Sequence, residues 1–206
     1  MLRALLTLAN CLSSLTFAAD DAARVYRDLE RHLRSLKSLD IRYEAGGASV
    51  SGELLSGRMV WQRPGLFYHD TPEWTLCDRD SAEWRYLKET NTLILDRAAD
   101  AEHAPEAMLT NLSRDLRAAA LDIQADGRMW LSLSSDDPAA PRNIVIEFPA
   151  GSRQPDLIRY TLPDGTDVDY RIRSWNEAQL PAPALFVAPE VPAENLIDFR
   201  LHKSER

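Results

Sequence analysis

The sequence predicts an α+β fold that is mostly antiparallel β: one strongly curved sheet of about ten or eleven strands, with helices covering its concave face. Three observations carry that expectation. From Leu39 onward, apolar and polar residues alternate in short runs separated by polar turns, as in an antiparallel meander. Ahead of these runs, Ala22, Val25, Leu29, Leu33 and Leu36 follow the spacing of a helical stripe. Within them, Met108, Leu112, Leu116 and Ala119 interrupt the alternation with helical spacing again.

Residues 1–18, "MLRALLTLANCLSSLTFA", have the form of a secretory signal peptide. Arg3 supplies the positive start, the following stretch is mostly apolar, and Thr16 and Ala18 are small enough for a cleavage site. The mature chain is then a single domain spanning 19–206. Asp20 or Asp21 can cap the first helix, and Arg24, Arg27, Arg31 and Arg34 fall off its apolar stripe.

Leu39, Ile41 and Tyr43 begin the period of two, and Gly46-Gly47 marks a turn. Strands are expected at Val50–Leu55, Met59–Trp61, Leu66–Tyr68, Trp74–Leu76, Trp84–Tyr86 and Leu93–Leu95, with turns at "DRDS" and "KETN". A helical segment over Ala104–Ala120 follows, with Pro105 in its first turn. The meander then resumes at Met129–Leu133, Ile144–Phe148, Ile158–Leu162 and Val168–Ile172, and Asp164-Gly165 is a strong hairpin signal. The proline-rich end, "LPAPALFVAPEVPAENLIDFR", is expected to form a short strand and an extended tail packed on the domain.

The chain carries 24 basic and 32 acidic residues, a net charge of −8. Such a surface argues against general nucleic-acid binding, which needs basic patches to neutralise phosphate, and against electrostatic docking on an anionic membrane. The sequence contains no HExxH, CxxC or GxSxG motif and no glycine loop for phosphate. The acids Asp164, Asp167 and Asp169 lack the spacing of a calcium loop. Nothing marks an enzyme, a metal site or a cofactor. After cleavage one cysteine remains, Cys77, in an alternating run where a small core residue is expected.

Several segments, in order, resemble the LolA-type periplasmic carriers of outer-membrane lipoproteins. They are the leucine-striped "YRDLERHLRSLKSLDIRYEA", then "GRMVWQRPGLFYHD" with its Arg-Pro and apolar-Phe pair, and then "TLCDRDSAEWRYL". "APEAMLTNLS", "RYTLPDGTDVDYRIRSW" and "LFVAPEVPAENLIDFR" follow. The pattern departs from the family's at Val60, at Tyr43-Glu44-Ala45 and at Asp80-Ser81.

The resemblance implies an incomplete barrel whose concave face is an apolar cavity under short helices. It also implies a monomeric carrier without catalytic activity that shields lipoprotein acyl chains in the periplasm. Its partners would be an inner-membrane releasing complex and an outer-membrane acceptor. Carriage of free lipid or glycolipid on the same fold, or a sensor or interaction module with a filled core, are the alternatives.

Arg63 matches the family arginine that holds the lid shut when the cavity is empty, and Phe67 matches the phenylalanine at its mouth. By the period of two, Gly57, Met59, Trp61 and Arg63 share one face. A charge there needs partners. The free carbonyls at helix ends would serve, as would Glu73 or Asp70. Met59, Trp61, Phe67, Trp84 and Tyr86 are expected to line the cavity, with Met108, Leu112 and Leu116 as the underside of the lid. Packed core and lined cavity look alike at this level, so both readings stay open for these residues.

Overall fold

The computed structural model describes residues 15–17, 19–46, 55–63, 65–79, 82–97, 116–177 and 180–201. A short strand β1 (Leu15–Phe17) precedes the helix α1 (Ala19–Ser35). The first run of strands is β2 (Ser38–Gly46), β3 (Leu55–Gln62), β4 (Leu66–Asp70), β5 (Trp74–Arg79), β6 (Ala82–Leu87) and β7 (Thr92–Arg97). The second run is β8 (Leu116–Ile123), β9 (Met129–Ser135), β10 (Arg142–Phe148), β11 (Leu157–Thr161) and β12 (Asp167–Asn176). A last strand, β13 (Leu196–Asp198), lies among three short 3-10 turns at Pro183–Phe186, Ala193–Asn195 and Phe199–Leu201.

These form one 13-stranded sheet in the order β1-β8-β9-β10-β11-β12-β2-β3-β4-β5-β6-β7-β13. β12 pairs with β2, which joins the second run to the first. Among the described residues, the edges β1 and β13 do not meet, so the sheet is an incomplete barrel. Every pairing is antiparallel except that of β13 with β7, which is parallel. The Asp164-Gly165 turn joins β11 to β12 as expected, with Gly165 at φ +89° and its N–H donating to the Leu162 carbonyl.

α1 buries Ala22, Tyr26, Leu29, Leu33 and the following Leu36 in one face. Its first turn holds Asp20 and Asp21 and its last turn His32 and Arg34, which suits the helix dipole at both ends. The buried stripe joins one core with residues from β2, β3, β8, β9, β10 and β11, among them Ile41, Met59, Leu131 and Ile146. Seven neighbouring strands, β8 to β3, would span about 29 Å if flat, against about 10 Å for a helix. One helix reaches that many strands because the sheet curls around it.

The opposite, outer face carries a second cluster: Val60, Cys77, Trp84 and Leu93, closed by Phe186 from the C-terminal segment. That segment is therefore an extended cover ending in a short strand, as its proline content predicts.

The structure corrects two expectations. The helical segment over 104–120 lies outside the described residues up to 115, and 116–120 begins the strand β8. Leu116, Ala118 and Leu121 all face the core, but the register shifts between Ala118 and Ala120. The helical spacing ends on Leu116 and Ala119, but in β8 Ala119 is the extra residue of that bulge and is exposed, so the two do not share a face. The count of ten or eleven strands falls short of thirteen partly because β8 was read as helix. Val50–Leu55 lies outside the described residues except for Leu55, which starts β3.

Candidate functional site

The concave face of β2, β3, β4 and β12 is aromatic. Trp61 and Phe67 are cross-strand neighbours, half-buried, and packed against the main core beside the buried Met59. Tyr43 contacts Tyr170 at 4.9 Å between ring centroids, and Tyr170 stacks on Tyr160 at 6.0 Å. His69 lies edge-on to Trp74 at 4.7 Å and near Phe67 at 6.2 Å. Tyr43 Oη and His69 Nε2 share a hydrogen bond of 2.5 Å in a buried setting. Gly57 faces Tyr43 across the β2–β3 pair, and its missing side chain leaves the room that the Tyr43 ring fills.

Arg63 follows β3 at the edge of this face. Its Nε donates to the carbonyl of Leu36 at 3.2 Å and its backbone N–H to the carbonyl of Lys37 at 2.9 Å. The guanidinium lies 4.7 Å from the centroid of the Trp61 ring. The Leu36 carbonyl lies one residue past α1, where a cation complements the helix dipole, and the bond to Lys37 extends the β2–β3 ladder by one pair. Asp70, the alternative partner considered from the sequence, is held instead by Lys88 at 2.7 Å and by the Thr75 hydroxyl at 2.7 Å.

A second tie holds the same end of α1. The Glu177 carboxylate pairs with His32 at 2.8 Å and accepts from Trp175 Nε1 at 2.5 Å and Gln154 Nε2 at 3.4 Å. Burial pushes the Glu177 carboxyl up, but the hydrogen bonds of His32 and Trp175 outweigh it and leave the group below its ordinary value. A carboxylate lowered in the folded state stabilises above its unfolded pKa, and that contribution is lost as pH falls through the folded pKa. Glu177→Gln is therefore expected to flatten the loss of urea-midpoint stability as pH falls below about 4.5. An acid limb as steep as that of the wild type would contradict this.

The structure divides the residues singled out in the sequence. Met59, Trp61 and Phe67 meet on the concave face, and Leu116 packs on the same core from β8 rather than from a helix. Trp84 and Tyr86 do not join them. They sit on the outer face, because the register sets Trp84 opposite Cys77 and Cys77 opposite Tyr68. Met108 and Leu112 lie outside the described residues.

Sequence reasoning missed the Tyr43–His69 pair, although His69 shares the period of Phe67, and it missed Glu177. It also missed Phe186 as the plug over Cys77. Burial and the neighbouring charge of Asp78 push the Cys77 thiol up to about 12, so it stays protonated and unreactive at neutral pH. Among the described residues, no group of three or more His, Cys, Asp or Glu side chains is placed to hold a metal ion. Nor is any helix among them long and apolar enough to cross a membrane.

No family model and no curated protein matches the sequence. Among solved structures, an uncharacterized conserved protein from Thermus thermophilus is similar with a TM-score of 0.57 at 14% identity, over 86% of this chain and 99% of that one. That likeness shows a shared fold. That fold is an unclosed antiparallel barrel with a helix against its apolar concave face. Weaker likenesses are to LprF from Mycobacterium bovis (TM-score 0.44, 13% identity, 80% of this chain and 96% of that one). Another is to the LolA superfamily protein NE2245 from Nitrosomonas europaea (0.43, 9%, 84% and 98%). Neither carries an argument about function.

Proposed function

We propose that this chain is a non-catalytic periplasmic carrier that shields the acyl chains of lipoproteins between the inner and outer membranes. In this reading residues 1–18 are a signal peptide whose removal takes β1 with it and leaves β8 as the sheet edge, and the carrier works as a monomer between an inner-membrane releasing complex and an outer-membrane acceptor. The observation that carries the reading is the aromatic concave face, with Trp61 and Phe67 half-buried beside an arginine that ties down the end of α1. The ordered sequence resemblance supports it.

The energies fit a reversible carrier. Arg63 is exposed, so its bond to the helix end and its contact with Trp61 are together worth about 1–2 kcal/mol. Burying an acyl chain yields about 0.8 kcal/mol per methylene. Two or three methylenes offset the tie, while a whole chain far exceeds it. In this reading α1, rather than the 104–120 segment, is the element that Arg63 holds, and the tie biases the empty form toward closure without preventing loading. Arg63→Leu is expected to tighten binding of an acyl probe about tenfold and to slow its release. Equal affinity and release in both proteins would remove the latch role.

The reading itself is tested by purifying the chain from a bacterial envelope and identifying what it retains. Acylated polypeptides recovered by mass spectrometry after denaturation are the expected result. Free lipid alone would move the cargo to the lipid class. A chain that retains nothing and binds no acyl probe would overturn it.

A further inference from the structure

We propose that the outer face carries a second site, separate from the concave face, for a single-chain amphiphile with an anionic headgroup. An open groove of about 450 Å³ lies there. Its floor is the cross-strand row Gln62, Leu66 and Arg79, contributed by β3, β4 and β5. Its wall is the C-terminal segment at Leu180, Pro183 and Phe186.

The sequence explains why the groove is there. The next row along the sheet, Val60, Tyr68, Cys77 and Trp84, is filled by Phe186. Upstream of Phe186 the chain reads Leu180-Pro181-Ala182-Pro183. Prolines have no N–H to offer, and no hydrogen bond ties these four residues to the strands among the described contacts. The segment stands off the sheet and leaves an apolar trough, with Leu180 62% exposed at its mouth.

Arg79 sets the class of ligand. It is exposed at the end of β5 and makes no ion pair with any described residue, in a chain with a net charge of −8. A single cation beside an apolar trough matches an anionic head on an apolar tail. The floor strands β3, β4 and β5 are each paired on both sides. A peptide would find no strand edge to pair with, whereas an acyl chain needs none. At about 30 Å³ per group the groove holds about 15 groups of water or methylene size, enough for a chain of about twelve carbons.

The test is a titration of the isotope-labelled full chain with sodium dodecanoate below its micelle concentration, read by amide NMR, with dodecanol as the neutral control. Saturable shifts at Leu66, Arg79, Leu180 and Phe186 are expected. Arg79→Gln should weaken dodecanoate binding at those amides about tenfold and leave dodecanol unchanged. Leu180→Glu should abolish both, and both variants change exposed side chains that the fold does not need. Shifts confined to concave-face amides such as Leu133 and Tyr170, or equal affinity in wild type and Arg79→Gln, would overturn the site. So would an absence of shifts. Because the readout is local, the concave carrier reading can fail while this site stands, and the reverse.

Discussion

Gly57→Ala is expected to lower stability by about 2–3 kcal/mol and the melting temperature by about 5–10 °C. A methyl group at this position would lie only 2.7 Å from Tyr43 Cε1 and closer still to its Cζ, well inside van der Waals contact. Tyr43 cannot simply swing away, because it is 5% exposed, packed on Tyr170 and bonded to His69. Overpacking a core of this kind costs about 1–3 kcal/mol, and an unpaired buried hydroxyl or imidazole adds about 1–3 kcal/mol. Replacing glycine in a strand returns only about 0.5–1 kcal/mol of backbone entropy, so the clash wins. The decisive measurement is a double-mutant cycle with Tyr43→Leu. In that background Gly57→Ala should cost less than about 1 kcal/mol. Additive costs would show that the glycine does not serve the tyrosine.

The same residues show what could be read from the sequence. α1 was legible because a helix against a sheet has one dry side, and Leu29, Leu33 and Leu36 mark it with Arg27, Arg31 and Arg34 opposite. The later strands were legible because their outer face is polar: Ile144 and Ile146 are buried toward the core, while Asn143 and the ion-paired Glu147 alternate with them. The face assignments of β3 to β7 were not. There the C-terminal segment covers the outer face, so Val60, Tyr68, Cys77 and Trp84 are as apolar as Met59 and Phe67. A period of two says which residues of one strand share a face. It does not say which face, and only register across strands carries that from Trp61 to Trp84. The period puts Arg63 on the face of Met59 and Trp61, but its acceptor, the Leu36 carbonyl, depends on where the chain turns after α1. Leu116 and Ala119, spaced like neighbours on a helix, fall in β8 on a core-facing and an exposed position, and spacing alone did not show it.

Phe186→Ala should uncover Cys77. Phe186 is 5% exposed, fills the row formed by Val60, Cys77, Trp84 and Leu93, and meets Tyr68 edge-on at 6.4 Å. Its carbonyl lies 3.8 Å from the Cys77 sulfur. Truncating a buried phenylalanine costs about 3–5 kcal/mol. Here the cost should appear mostly as local release of the C-terminal segment. Beyond this plug the segment is fastened by the partly buried Leu185, Ala188 and Val191 and by three residues of β13 on β7, whereas the sheet beneath is held by the main core. Release brings water to a thiol that burial had pushed up to about 12, returning it toward about 8.5. Alkylation of Cys77 at about pH 8 should then accelerate at least a hundredfold, since about 3 kcal/mol corresponds to a little over two decades of opening equilibrium. Labelling that speeds up only in step with global unfolding would make the segment part of the cooperative core. Labelling and melting that both match the wild type would mean that Phe186 does not hold the cover in place.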